Sequence, residues 1–226
     1  MKLLIDNANL EKIKKIYEYY PVDGVTCNPT ILKAEGKLPI EQLTKIRKFI
    51  GPETEMHMQV VSTSAKDMIK EGIKIADRFG ENTFIKIAVN EEGLKAIREL
   101  AKQGYNVTGT AVYSTMQGFL AAKAGAKVVA PYINRMDVLG YDGLKIAEEI
   151  NILLKNANLD CGVIGASLKN AKQIIELYKL GVQGVTLSAD LFDSIIKNQI
   201  VDEAIATFVA DFESLCGKGE TMLTSK

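Results

Sequence analysis

One lysine stands where lysines are costly. Lys86 lies inside the run FIKIAV at 84–89, between Phe84, Ile85, Ile87, Ala88 and Val89, whereas most of the 24 lysines fall on polar helix faces or in turns. Burying an ammonium is expensive unless it is paired or gives up its proton. The free amine so favoured is the nucleophile that imine formation with a carbonyl needs. Lys86 is therefore a candidate catalytic nucleophile, and an ion pair with Asp6 is the structural alternative. Four arginines are present. Arg47, Arg78 and Arg98 fall in amphipathic segments, where a solvated face is expected. Arg135 instead follows an apolar run, in APYINRMD, where its planar fork suits a phosphate or carboxylate. Ser167 and Lys169, in GASLKN, open the helix after the seventh apolar run, and helix openings bind anions. Together they predict a phosphorylated small molecule as ligand, with a salt bridge at the rim as the other reading. His57, the single histidine, is expected as a packed core side chain. Proton transfer then falls to Tyr132, Asp6 and lysine.

Something must bring these residues together. Eight short apolar runs begin at Lys2, Gly24, Glu55, Phe84, Asn106, Lys127, Cys161 and Gly184, each of strand length and many rich in Val, Ile and Thr. Between them apolar residues recur at helical steps, as in Met68, Gly72, Ile75, Ala76 and Phe79, or Leu94, Ile97, Leu100 and Ala101. Asn90 before Glu91 and Glu92 reads as an N-cap, and Gly80 and Gly104 as helix stops. Strands alternating with helices imply parallel pairing. Eight such units in one chain predict an α/β fold, a single (β/α)8 TIM barrel; a doubly wound open sheet is the alternative, weakened because no glycine-rich dinucleotide fingerprint follows any strand. A further helix near 199–215 has Val201, Ala204, Ile205, Phe208, Val209 and Phe212 on one face, followed by a polar tail over 217–226. One domain over 1–226 is expected.

A TIM barrel builds its site at the C-terminal strand ends. Those ends read Asp6, Asn28, Gln59, Lys86, Thr110, Tyr132, Ser167 and Ser188, between 21 and 35 residues apart. Period-two alternation puts Thr26 with Asn28, His57 with Gln59, Phe84 with Lys86 and Thr108 with Thr110. The polar set therefore shares one parity and faces the barrel mouth. A plug of mutually bonded side chains is the bland alternative.

Composition excludes other chemistries. With 28 basic and 28 acidic residues the formal charge is zero, which argues against nucleic acid or an acidic membrane as the main partner. One histidine and three widely spaced cysteines exclude a His-rich or zinc-finger metal site, and buried reduced thiols are expected. No apolar run reaches the roughly 18–20 residues of a membrane span, so a cytoplasmic protein is expected.

These motifs resemble those of the small transaldolase and fructose-6-phosphate aldolase family. DGVTCNPTIL at 23–32 is similar to its second-strand signature, with Cys27 where Thr or Ser is usual. FIKIAVNEEGL at 84–94 resembles its lysine strand, with Ala88 and Asn90 where Pro and Thr or Ser are commoner. GTAVY, APYINRMD and GASLKN match its fifth, sixth and seventh strand ends, so the likeness covers about the whole chain. The resemblance implies that Lys86 forms a Schiff base with a ketose, needing no metal or organic cofactor because the lysine supplies the electron sink. Transaldolases are expected to carry Glu on the third strand and Phe on the sixth, so Gln59 and Tyr132 point to the aldolase branch. The implied catalytic set is Lys86, Tyr132, Asp6, Gln59 and Thr110. The implied binding set is Thr26, Asn28, Arg135, Ser167 and Lys169. The implied reaction joins dihydroxyacetone and glyceraldehyde 3-phosphate to fructose 6-phosphate. Dihydroxyacetone transfer between sugar phosphates, as in the pentose phosphate pathway, is the alternative, and a non-catalytic sugar-phosphate binder a remoter one. The resemblance also implies a ring-forming homo-oligomer, such as a decamer, whose last helix reaches a neighbour.

Overall fold

Alternation of apolar and polar residues on each strand leaves two faces to cover, and closure of the sheet covers both. The computed structural model describes residues 1–225. Its strands are β1 (Lys2–Asp6), β2 (Gly24–Thr26), β3 (Glu55–Gln59), β4 (Thr83–Ala88), β5 (Val107–Val112), β6 (Val128–Pro131), β7 (Gly162–Gly165) and β8 (Gly184–Leu187). They pair in sequence order, all parallel, and β8 returns to β1 to close an eight-stranded barrel. The seam is tight at Gly184, where an added Cβ would lie 2.5 Å from the Lys2 carbonyl oxygen. The TIM-barrel expectation therefore holds, and the open sheet is excluded.

The helices are α1 (Leu10–Tyr19), α2 (Pro29–Glu35), α3 (Pro39–Ile50), α4 (Ala65–Phe79), α5 (Glu91–Lys102), α6 (Thr115–Lys123), α7 (Ile133–Val138), α8 (Gly143–Asn156), α9 (Ala171–Lys179), α10 (Ala189–Ile196) and α11 (Gln199–Cys216). Local signals start them where the site needs them. Asn28 caps α2 by accepting from the Ile31 N–H, with Pro29 in the first turn, and Asn90 caps α5 by accepting from Gly93. Outward residues such as Ile5, Val25, Met58, Ile85 and Ile87 pack with helix residues such as Ile13, Ile16, Ile97 and Leu100 in one continuous core. Inside the barrel, Leu4, Phe84, Val128 and Ile164 form a separate apolar layer. Polar side chains lie above it.

Two sequence expectations change. Arg47 is not a solvated helix-face residue: it is half-buried and donates to the carbonyls of Gly51, Thr54 and Asn82, tying α3 to the turns around β3 and β4. Of the three free cysteines only Cys27 is buried; Cys161 is partly covered and Cys216, at the end of α11, is exposed.

The chain forms two compact units, Met1–Phe192 with the barrel and a second from Asp193 onward. In the second, α11 has no buried residue, and Ile205, Phe208 and Val209 are each more than half exposed. The tail expected over 217–226 is described as far as 225. Among the described residues no helix is long and apolar enough to cross a membrane.

Candidate active site

The mouth of the barrel opens into a cavity of about 360 Å³. Eight of the ten predicted site residues line it: Asp6, Thr26, Asn28, Lys86, Tyr132, Arg135, Ser167 and Lys169. They come from five strand ends, those of β1, β2, β4, β6 and β7, and the loops beyond them.

Lys86 reaches the cavity from β4 with 5% of its surface exposed. Its Nζ donates to the carbonyl oxygen of Cys27 at 3.0 Å. Asp6 is engaged elsewhere, for its Oδ1 accepts the Thr26 hydroxyl at 2.7 Å, and Thr26 in turn shares a 2.6 Å bond with Thr186. The amine is thus held by a neutral acceptor that a substrate carbonyl can replace. Cys27 serves through its backbone only; burial, above all, pushes its thiol up to about 12, far from the thiolate needed for reaction.

Tyr132 closes the far wall. Its hydroxyl lies 3.1 Å from Thr110 Oγ1, which is fully buried, so Thr110 supports Tyr132 from behind instead of lining the cavity. Gln59 is Lys86's register partner on β3, but it lines the neighbouring groove, and its carboxamide oxygen is buried without a hydrogen-bonding partner. No hydrogen bond joins it to Tyr132 or Thr110. Asn28 spends its carbonyl on the α2 cap, which leaves its amide N–H groups for a ligand in the cavity.

The anion-facing side gathers around Arg135, whose guanidinium stacks 4.8 Å from the Tyr132 ring centre and donates to the Tyr113 hydroxyl at 3.4 Å. Ser167 has φ 61°, the left-handed region that a serine adopts only when its surroundings enforce it. Ala111 has φ 53°, at a register shift between Gly109 and Val112 that interrupts β5 beside the site. Such bulges re-aim the residues that follow. Here Tyr113 follows, its ring edge-on to Tyr132 at 5.7 Å.

Three contributors escaped the sequence reading. Tyr113 was visible in GTAVY but had no charge or partner to single it out. Thr186 shares parity with Ser188 and was accessible to the alternation argument. Lys12, which lines the cavity and pairs with Asp190 at 3.7 Å, looks like any other helix-face lysine.

Comparison with known proteins follows the same lines. The family described as Transaldolase/Fructose-6-phosphate aldolase matches residues 3–224. A protein of Streptococcus pneumoniae (strain ATCC 700669 / Spain 23F-1) named "Probable fructose-6-phosphate aldolase" is 37% identical over 213 residues, 94% of this chain and 96% of that protein. A Thermodesulfovibrio yellowstonii (strain ATCC 51303 / DSM 11347 / YP87) protein named "Probable transaldolase" is 37% identical over 216 residues, covering 95% and 99%. Among solved structures, a mutant flavocytochrome b2 with benzoylformate superposes with TM-score 0.55 at 15% identity, over 76% of this chain and 50% of that one. A cube-shaped protein cage designed by fusing symmetric oligomeric domains gives TM-score 0.59 at 15% identity, over 84% and 64%. At that identity the two structures share the barrel alone.

Proposed function

The chain belongs to the transaldolase/fructose-6-phosphate aldolase family, and from that premise we propose that it is a Schiff-base aldolase that cleaves and forms fructose 6-phosphate. The observation that carries this reading is a buried lysine amine, held only by a carbonyl, in one cavity with a tyrosine hydroxyl that Thr110 orients. Lys86 attacks the C2 carbonyl as the free amine. Tyr132 protonates the carbinolamine hydroxyl, which leaves as water, and the protonated imine becomes the electron sink. Tyr132 or Asp6 accepts the C4 hydroxyl proton as the C3–C4 bond breaks. Glyceraldehyde 3-phosphate departs; the enamine takes a proton at C3, and water releases dihydroxyacetone from Lys86. Asp6, Thr26 and Asn28 hold the hydroxyls of the three-carbon fragment, while Arg135, Ser167 and Lys169 hold the phosphate.

Borohydride added with dihydroxyacetone or fructose 6-phosphate, followed by peptide mass mapping, tests this directly. A reduced three-carbon adduct on Lys86 is the expected product, and its absence removes the proposal. The second reading, transaldolase, is favoured by the equally similar relative of that name. It wins if transfer to erythrose 4-phosphate far outpaces release of dihydroxyacetone.

The phosphate assignment has its own consequence. Arg135→Ala removes net charge-assisted hydrogen bonding worth about 1.5–3 kcal/mol. KM for fructose 6-phosphate should rise about 10- to 100-fold while cleavage of an unphosphorylated ketose changes little, as steady-state assays on both substrates would show.

We also propose that the protein is a homo-oligomer in which α11 covers a neighbour. Its exposed apolar face is flanked by Asp202, Glu203, Asp211 and Glu213 and by no cation. The barrel unit offers an apolar groove lined by residues from Pro29 to Phe79, where the four cations Lys33, Lys37, Lys74 and Arg78 outnumber the two acids Glu71 and Asp77. Phe208→Asp places a charge in that contact and is expected to shift the protein to monomer in sedimentation; an unchanged mass would exclude α11 from the interface.

A further inference from the structure

Beneath the mouth the barrel carries a second polar array for which the reaction above has no use. His57, on β3, lines the cavity floor with 1% of its surface exposed. Its ring stacks on Phe84 at 4.4 Å and 13°. Its Nδ1 lies 2.9 Å from Thr108 Oγ1. Its Nε2 faces Glu55 Oε2 at 3.7 Å, and neither of those two buried atoms has a hydrogen-bonding partner. The other Glu55 oxygen takes the Lys2 ammonium.

The order Lys2, Glu55, His57, Thr108 biases where the protons are. A carboxylate only accepts and, although 3.7 Å exceeds a hydrogen bond, its charge favours the hydrogen on the imidazole nitrogen that faces it, Nε2. In the neutral ring the other nitrogen, Nδ1, is then an acceptor, and Thr108 must donate its hydroxyl proton to it. A threonine hydroxyl has one proton. Once that proton points down to His57, the oxygen offers only lone pairs to whatever stands above. Thr108 is the register partner of Lys86 on the adjacent strand, and both side chains line the cavity.

We propose that His57 is a positioning residue for Lys86: with Glu55 it locks Thr108 as a pure acceptor beside the lysine, so that the cationic imine is favoured over its neutral form. The proposal rests on the Schiff-base reading and names a support for it that no catalytic residue supplies. Burial, the largest influence, holds His57 below the usual histidine range; Glu55 opposes this, while Lys86 and Lys2 reinforce it. These are the charged groups that face the ring from its own strand, from β4 and from β1. A neutral ring also spares the imine a second cation in the same chamber.

The chain has one histidine, so nitrogen NMR of protein labelled at histidine reports this ring alone. The expected spectrum is a neutral ring protonated at Nε2, read without substrate. In borohydride trapping, Thr108→Val and His57→Phe should each slow adduct formation on Lys86 about tenfold, the fold-change of one net hydrogen bond, with KM little altered. His57→Gln, whose amide supplies one acceptor and donors, should recover most of the rate. A ring protonated at Nδ1 overturns the proposal, as do wild-type trapping rates in both slowed variants. If His57→Phe fails to fold, Thr108→Val, nearly isosteric, carries the kinetic test. An Nε2–H ring in a wild-type protein that forms no adduct would overturn the Schiff-base reading instead, and with it the role given to His57.

Discussion

Lys86→Met is expected to lower kcat for fructose 6-phosphate cleavage by at least ~10⁴-fold and to abolish the borohydride-reducible adduct, since removing a covalent nucleophile leaves only binding and electrostatics to act on the substrate. The same variant makes a second, opposite-sided claim about stability. Methionine fills nearly the same volume without a polar head, whereas a lysine buried this deeply costs several kcal/mol, either in desolvating its ammonium or in giving up the proton. Against this, the Cys27 carbonyl loses its side-chain donor, a loss of about 1–3 kcal/mol. The first effect is as large as the second or larger, so the thermal midpoint should stay level or rise. Assays of turnover and calorimetry on one preparation check both. A dead enzyme that is also much less stable would mean that Lys86 is chiefly a structural member of the barrel.

How far the residues announced this site depended on the kind of signal. Lys86 was legible because a lysine violates an apolar strand, and one violation in one run suffices to mark it. The mouth residues were legible because a strand's period of two fixes their common side, which is why Asp6, Thr26, Asn28 and Tyr132 meet in one cavity. The same rule set Gln59 beside its register partner Lys86, but alternation predicts a direction and not what the side chain reaches: no direct hydrogen bond ties it to the tyrosine, and it lines the neighbouring groove. Thr110 was expected at the mouth and lies behind Tyr132, on a strand whose pairing shifts at Ala111. Nothing in GTAVY marks alanine as the residue with positive φ, because that conformation is imposed by the strands around it. Arg47 illustrates the same limit on a helix: its spacing says amphipathic surface, but three carbonyls left over by nearby turns draw it inward. His57 was read correctly as buried. Among its polar partners Glu55 shares its strand and its parity, but Thr108 and Lys2 come from β5 and β1, whose registers relative to β3 only closure of the barrel sets.

Tyr132→Phe separates the two activities the family holds. Phenylalanine keeps the edge-on contact with Tyr113 and the ring beneath Arg135, so folding and phosphate binding persist. What goes is one hydroxyl and its bond to Thr110, a stability change of about 1 kcal/mol. If that hydroxyl moves protons in carbinolamine dehydration and imine hydrolysis, release of dihydroxyacetone should fall about 10²–10⁴-fold, the usual range for a general acid or base. The carbon–carbon step can still use Asp6 to accept the C4 proton, so the three-carbon adduct accumulates on Lys86 and the fraction trapped by borohydride rises. Supplied with erythrose 4-phosphate, that adduct has an acceptor and no fast route to water, and transfer overtakes release. A wild-type enzyme that already transfers faster than it releases, with Tyr132→Phe changing neither rate, would show that the tyrosine hydroxyl is not the group that admits water. The transaldolase reading would then stand in place of the aldolase.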